Sequence, residues 1–357
     1  MPRLVLLSIM ILWLGFARPS AGVETVQFRQ DQTTRTVVGE ILVEAQSGGL
    51  MLQADDGRIW TVQASEIIDR MSDDRPLEPI DIEQAARRML EELGPEFSAY
   101  QTHHYLILYN CNDSYARQVG GLFEQLYRGF FAFWKNQRWR LPEPRFPLIA
   151  VVLKDHSAFF THATAEIGEQ AKSVIGYYNL ATNHMTTFNV PNWERNVATL
   201  IHEATHQLAY NCALQTRFAD NPMWVSEGLA MFFEAPDMRN PGRWRSIGSV
   251  NRVNLARWRK YEPVRPQESL VTLLSDNSRY QNPATATAAY AESWALTYFL
   301  IKTRREQYVE YLQRLSSGRP LAECSPRERI DMFEEAFETT LAELDQEFVA
   351  YMRRVRP

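Results

Sequence analysis

His202-Glu203-Ala204-Thr205-His206 puts two imidazoles four residues apart, with a carboxylate beside the first. On an α-helix, residues four apart lie one above the other, so both rings can reach a single cation. Glu203 then projects toward water activated at that cation, the place of a general base. A catalytic zinc takes three protein ligands and keeps a fourth position open, so two histidines leave the set one short. Twenty-one positions past His206 comes Glu227, inside the largely apolar run 222–234. A lone carboxylate among Trp224, Val225, Leu229 and Met231 is costly to bury without a compensating positive charge, and Zn2+ is such a charge. The structural alternative is a buried helix whose histidines bond to carbonyls, with Glu227 partly exposed and paired with an arginine.

Two helices must hold these groups. Residues 192–210 carry Val197, Leu200, Ile201, Ala204, Leu208 and Ala209, the broad apolar face of a buried helix. Asn192 is the expected N-cap, with Glu194 in the first turn. The second helix starts at Pro222, capped by Asn221, and Gly228 removes bulk where the two helices approach. Metal-bound histidines usually donate their other N–H to an acceptor, and Asn211, Asp220 and Glu234 are the candidates.

His202-Glu203-x-x-His206 followed by Trp224-x-x-Glu227-Gly228-x-Ala230 resembles the gluzincin metallopeptidases, the group that includes thermolysin and the aminopeptidase-N-like enzymes. Residues 197–234 carry that likeness. More loosely, residues 105–348 resemble secreted bacterial proteins of a domain-of-unknown-function family with a peptidase-MA-like core. The resemblance implies that His202, His206 and Glu227 bind one zinc ion and that Glu203 activates water. It also implies a tyrosine or histidine that stabilises an oxyanion. Tyr290, downstream of Glu227, is the candidate, with His184 as a second choice. Tyr290, Trp294 and Tyr298 recur every four residues, which is equally the pattern of core packing. The glycine-rich aminopeptidase strand motif is absent, so exopeptidase activity is not supported. Thermolysin-like enzymes carry an aspartate four residues after the third ligand, where this chain has Met231. Metzincins place a third histidine six residues past the second. Here that position is Cys212, a competent zinc ligand, while Ala209 replaces the glycine that turns the metzincin chain. Glu227 is the preferred third ligand. His103, His104, His156 and His162 show no ligand spacing and read as structural or solvent-facing.

Arg3, the apolar run 4–16 and Arg18-Pro19-Ser20-Ala21-Gly22 form an expected secretory signal peptide over 1–22, which places the protein outside the cell or in the cell envelope. No second segment reaches membrane-spanning length, so no membrane span is expected in the mature chain. Cys111, Cys212 and Cys324 allow at most one internal bridge, which excludes a disulfide-stapled scaffold. Removing Arg3 and Arg18 takes the formal charge from −5 to −7, which argues against nucleic acid as the main partner.

Residues 23–71 alternate as short strands separated by Ser47-Gly48-Gly49 and Asp55-Asp56-Gly57, the pattern of a small SH3-like β-barrel domain. Residues 72–80 read as a linker. Residues 81–357 read as the zincin-like metallopeptidase domain: strands at 105–109 and 147–153 bracket a helix at 114–135 capped by Asp113, and a hairpin at 174–179 and 184–189 leads into the metal helix. The gluzincin resemblance implies that this hairpin binds extended substrate by strand addition. Helices follow at 287–302, 306–315, 328–337 and 341–355, so the class is α+β. The expected activity is zinc-dependent endopeptidase cleavage of a peptide or protein substrate. The alternatives are a non-catalytic envelope or adhesion module stabilised by zinc, and a zinc amidohydrolase acting on a cell-wall amide.

Overall fold

The computed structural model describes residues 22–190, 193–235, 244 and 247–357. The expected signal peptide, save Gly22, and the expected Asn192 cap lie outside them. The described chain is mixed α and β, with two five-stranded sheets.

The first sheet is antiparallel throughout, with strands β1 Val23–Gln30, β2 Thr33–Glu44, β3 Leu50–Ala54, β4 Ile59–Val62 and β5 Ile67–Asp73 in the order β4-β3-β2-β1-β5. Alternation turns Val26, Phe28, Ile41, Leu52 and Val62 into one small core. Asp31 and Gln32 both take positive φ, as a two-residue hairpin matched to strand twist requires. Strand β5 is the element the sequence reading lacks, and it runs into the stretch read as linker. It lies at the sheet edge with most of its residues exposed, so no apolar alternation marks it. Pairing with β1 holds it, together with Arg70, which is ion-paired to Glu24 and Glu44.

The second sheet is built from β6 Ser98–Gln101, β7 Tyr105–Tyr109, β8 Leu148–Leu153, β9 Gly176–Tyr178 and β10 His184–Phe188, in the order β6-β7-β8-β10-β9. Strands β7, β8 and β10 run parallel, while β6 and β9 are antiparallel edges. Every residue of β7 and β8 is buried, as strands covered on both faces must be. Helices α1 Ile82–Leu93 and α3 His156–Ile167 cover one face. Helices α2 Asp113–Asn136 and α4 Trp193–Asn211 cover the other.

The rest is helical: α5 Met223–Phe233, α6 Arg252–Tyr261, α7 Ser269–Ser275, α8 Ser278–Gln281, α9 Pro283–Thr303, α10 Arg305–Ser316, α11 Pro326–Phe337 and α12 Leu341–Met352. Two caps differ from expectation. The α2 N-cap is Asn112, whose Oδ1 accepts the Tyr115 N–H at 2.8 Å, and Asp113 is already helical. Helix α5 begins after Pro222 with no side-chain cap of its own. Its Met223 N–H is accepted by Asn277 Oδ1 at 3.1 Å, while Asn221 spends its amide on the Thr216 and Ala219 carbonyls. Gly228 does mark a close approach, but to α9 rather than α4: a Cβ there would lie 2.1 Å from Thr297 Oγ1. Among the described residues, no helix is long and apolar enough to cross a membrane.

Candidate metal centre

Helix α4 lies under the second sheet with its apolar face in the main core, and turns His202, Glu203 and His206 toward the side where α5 crosses. Helix α5 buries Trp224, Val225, Leu229, Phe232 and Phe233, which leaves Glu227 facing the two histidines. Candidate ligand atoms of His202, His206 and Glu227 all lie within 4.8 Å of one another. His202 Nε2 is 3.2 Å from His206 Nε2 and 3.2 Å from Glu227 Oε2, and His206 Nε2 is 3.7 Å from Glu227 Oε1. Two ligands on one tetrahedral zinc, with bonds of about 2.05 Å, stand about 3.3 Å apart. The donor set and its spacing therefore fit a zinc ion.

The outer nitrogen of His202 is also engaged. Its Nδ1 donates to Glu234 Oε2 at 2.7 Å, and Glu234 Oε1 accepts from Asn251 Nδ2 at 2.9 Å. Of the three expected acceptors, then, Glu234 is the one that meets a ring nitrogen of His202. Asp220 instead pairs with Arg329 and accepts the Cys324 N–H at 3.0 Å. Asn211 exchanges amide bonds with Asn183. A carboxylate partner fixes the ring tautomer and leaves Nε2 to face the centre.

Burial and charge act together here. Burial alone would depress His202, but hydrogen bonds to Glu227 and Glu234 override it and lift the ring well above its ordinary range. Burial pushes His206 down to about 4 and Glu203 up to about 7. Burial also works to raise Glu227, yet the His202 hydrogen bond and the nearby imidazoles hold it below the usual range. Glu203 Oε2 accepts the backbone N–H of Tyr178, in edge strand β9, at 2.9 Å. A backbone donor leaves no trace in residue type, and sequence reasoning missed this contact.

Tyr290 sits within α9, half-buried, its ring edge-on to Tyr280 at 5.2 Å. Burial and the charges of Glu227 and Glu203 raise its hydroxyl above the ordinary phenol range. Among the described residues its hydroxyl has no hydrogen-bond partner, whereas Tyr280 Oη is 2.5 Å from Ser293 Oγ. Trp294 and Tyr298 of the same stripe are buried core residues. His184 is brought elsewhere: it is buried in β10, depressed to about 3 by burial and by Arg58, and shares surroundings with Glu166 and His162. Cys212 lies in the main core, where burial lifts its thiol to about 12, and it joins no ligand cluster among the described residues. Its N–H bonds the Leu208 carbonyl at 3.0 Å, the continuation of the helix that Ala209 permits. All three cysteines are free. His104 pairs with Glu124 at 2.8 Å and His162 faces Glu166 at 3.5 Å, both as structural contacts.

Residues 196–322 match a family model described as a protein of unknown function, DUF1570. The match covers less than half of the chain, yet spans His202, Glu203, His206, Glu227, Glu234 and Tyr290. No curated protein matches the chain.

Proposed function

We propose that this protein is an exported zinc-dependent endopeptidase, with a gluzincin-like catalytic unit and an SH3-like β unit before it. The observation that carries this reading is the convergence of two ring nitrogens and a carboxylate oxygen at spacings suited to one ion, with Glu203 alongside. His202, His206 and Glu227 would hold the ion. When bound, zinc supplies Lewis acidity toward a scissile carbonyl and brings the pKa of water toward neutrality.

The chain's own groups do the rest. Glu203 takes the proton of the attacking water at a carboxylate oxygen and hands it to the leaving amine nitrogen. Tyr290 donates its hydroxyl to the oxygen that gains charge as the carbonyl carbon becomes tetrahedral. Glu234 holds His202 in the tautomer whose Nε2 faces inward. Apart from the Tyr178 N–H that Glu203 holds, the outer edge of β9 offers backbone groups to an extended substrate.

The test is Glu203→Gln, which keeps shape and removes the base. Turnover of a peptide library should fall by about 10²–10⁴-fold, the usual worth of a general base, with zinc content and melting temperature unchanged. Undiminished cleavage by that variant would remove Glu203 from the mechanism.

A further inference from the structure

We propose that the β1–β5 unit is a fixed brace of the active cleft: it clamps the β9–β10 turn, and through Tyr178 it sets the position of the Glu203 carboxylate. Gly57, Ile59 and Asn183 are then positioning residues. The inference rests on Glu203 being the general base, and it gives the N-terminal sheet a role other than that of a separable binding module or a removable pro-segment.

Strand β9 has three residues and one strand neighbour, too little pairing to fix its own place. The Asn179 N–H bonds back to the His184 carbonyl at 2.9 Å, so by alternation the Tyr178 N–H points to the free edge, where Glu203 takes it. Whatever holds the turn after Tyr178 therefore holds the base.

The turn is gripped from two sides. On the side of the metal helix, Asn183 is 1 % exposed and sits at φ 64°. Its Oδ1 accepts the Tyr178 hydroxyl at 2.6 Å and the Asn211 amide at 2.7 Å, and its carbonyl accepts Gln207 Nε2 at 2.9 Å. The Tyr178 ring also stacks on Tyr210, one turn past His206, at 5.7 Å and 17°. From the β unit, the first N–H of β4, on Ile59, donates to the Ala181 carbonyl at 2.7 Å. Gly57, at φ 86°, lies flush against the turn: a Cβ there would come 2.8 Å from Phe146 Cγ and 3.2 Å from Asn183 Nδ2. Arg217, 8 % exposed, donates to the Leu180 carbonyl at 3.2 Å, and its other nitrogen lies against the side-chain amide of Gln53 in β3. A buried guanidinium spanning both units could not be uncovered without losing those partners.

Two full-length variants test this, both outside the metal site. Gly57→Ala pushes a methyl toward Asn183 at a left-handed backbone position, and Ile59→Pro deletes the Ala181 donor at a strand-start position that tolerates proline. Met71→Ser, on the exposed outer edge of β5, is the control. Amide exchange over 176–184, zinc affinity and peptide kinetics are measured on each.

In either folded variant, exchange in that segment should rise about tenfold or more. The kcat should fall about ten- to hundredfold, as a misplaced catalytic group costs, with KM and zinc affinity within about twofold of the parent. The control should change none of these. Unchanged exchange, or faster exchange with full kcat, overturns the brace. So does loss of zinc affinity in parallel with kcat, which would mean general collapse of the site. If the parent cleaves no peptide, the peptidase reading falls, while the brace is still judged by exchange and by Glu203→Ala, which should deprotect the Tyr178 amide.

Discussion

His202 is gripped at both ring nitrogens, by Glu227 on the inner side and Glu234 on the outer. The outer contact gives the sharpest residue-level expectation. Glu234→Ala should weaken zinc binding by about 10–100-fold, as loss of a histidine's carboxylate partner usually does, with the fold intact. Competition against a metal-sensitive dye measures it, and unchanged affinity would deny Glu234 that part. Tyr290→Phe should cost about 10²–10³-fold in kcat with KM near the parent value, if its hydroxyl meets developing charge. Equal kcat would return Tyr290 to core packing. The histidine pair was legible in the chain because four-residue spacing on a helix is a local property. Glu227 was legible because a carboxylate in an apolar run is conspicuous. Choosing Glu234 over Asp220 and Asn211 was not possible, since that depends on how α5 is rotated against α4. Tyr178 was invisible because its contribution is a peptide N–H.

Helix α9 is the post against which α5, the helix that carries Glu227, leans, and two side-chain arrangements fix it. Gly228 lets α5 come within reach of Thr297, so Gly228→Ala should destabilise by about 1–3 kcal/mol through overpacking. Thr297→Ala in the same chain should recover part of that loss, and chemical denaturation would show it. On the far face, Glu292 is fully buried between Arg265 at 2.6 Å and Arg279 at 2.8 Å, and accepts the Ser269 hydroxyl at 2.7 Å. Removing it in Glu292→Ala leaves the mostly buried Arg279 without a carboxylate, while Arg265 keeps Asp345, at a cost of about 3–5 kcal/mol in the same assay. An effect below about 1 kcal/mol would mean that water reaches the pair. Elements with strong periodicity, such as α2 and α4, could be read from sequence within a few residues. Strand β5 could not, because backbone pairing and the ion pairs of Arg70 hold it rather than apolar burial. The starts of α2 and α5 shifted because Asn112 caps the one and a distant residue, Asn277, serves the other.

The molecule joins two sheets through a polar seam, with Arg145 to Glu40 at 2.6 Å, Arg88 to Asp55 at 2.6 Å and Arg58 to Glu92 at 2.6 Å around the Gly57 contact. Its α+β class followed from the order of strands and helices, whereas this seam did not, because charged surface residues carry no label for their partners. If the ion belongs to the native state alone, stripping it should lower stability by RT ln(1 + [zinc]/Kd), about 2.7 kcal/mol at a hundredfold excess over Kd. Re-addition should restore the melting temperature. Anomalous diffraction at the zinc edge from crystals of the zinc-loaded protein bears most closely on the whole account. One peak per chain is expected, about 2.0–2.2 Å from His202 Nε2, His206 Nε2 and a Glu227 carboxylate oxygen. A peak elsewhere, or none between α4 and α5 in zinc-saturated crystals, would contradict it.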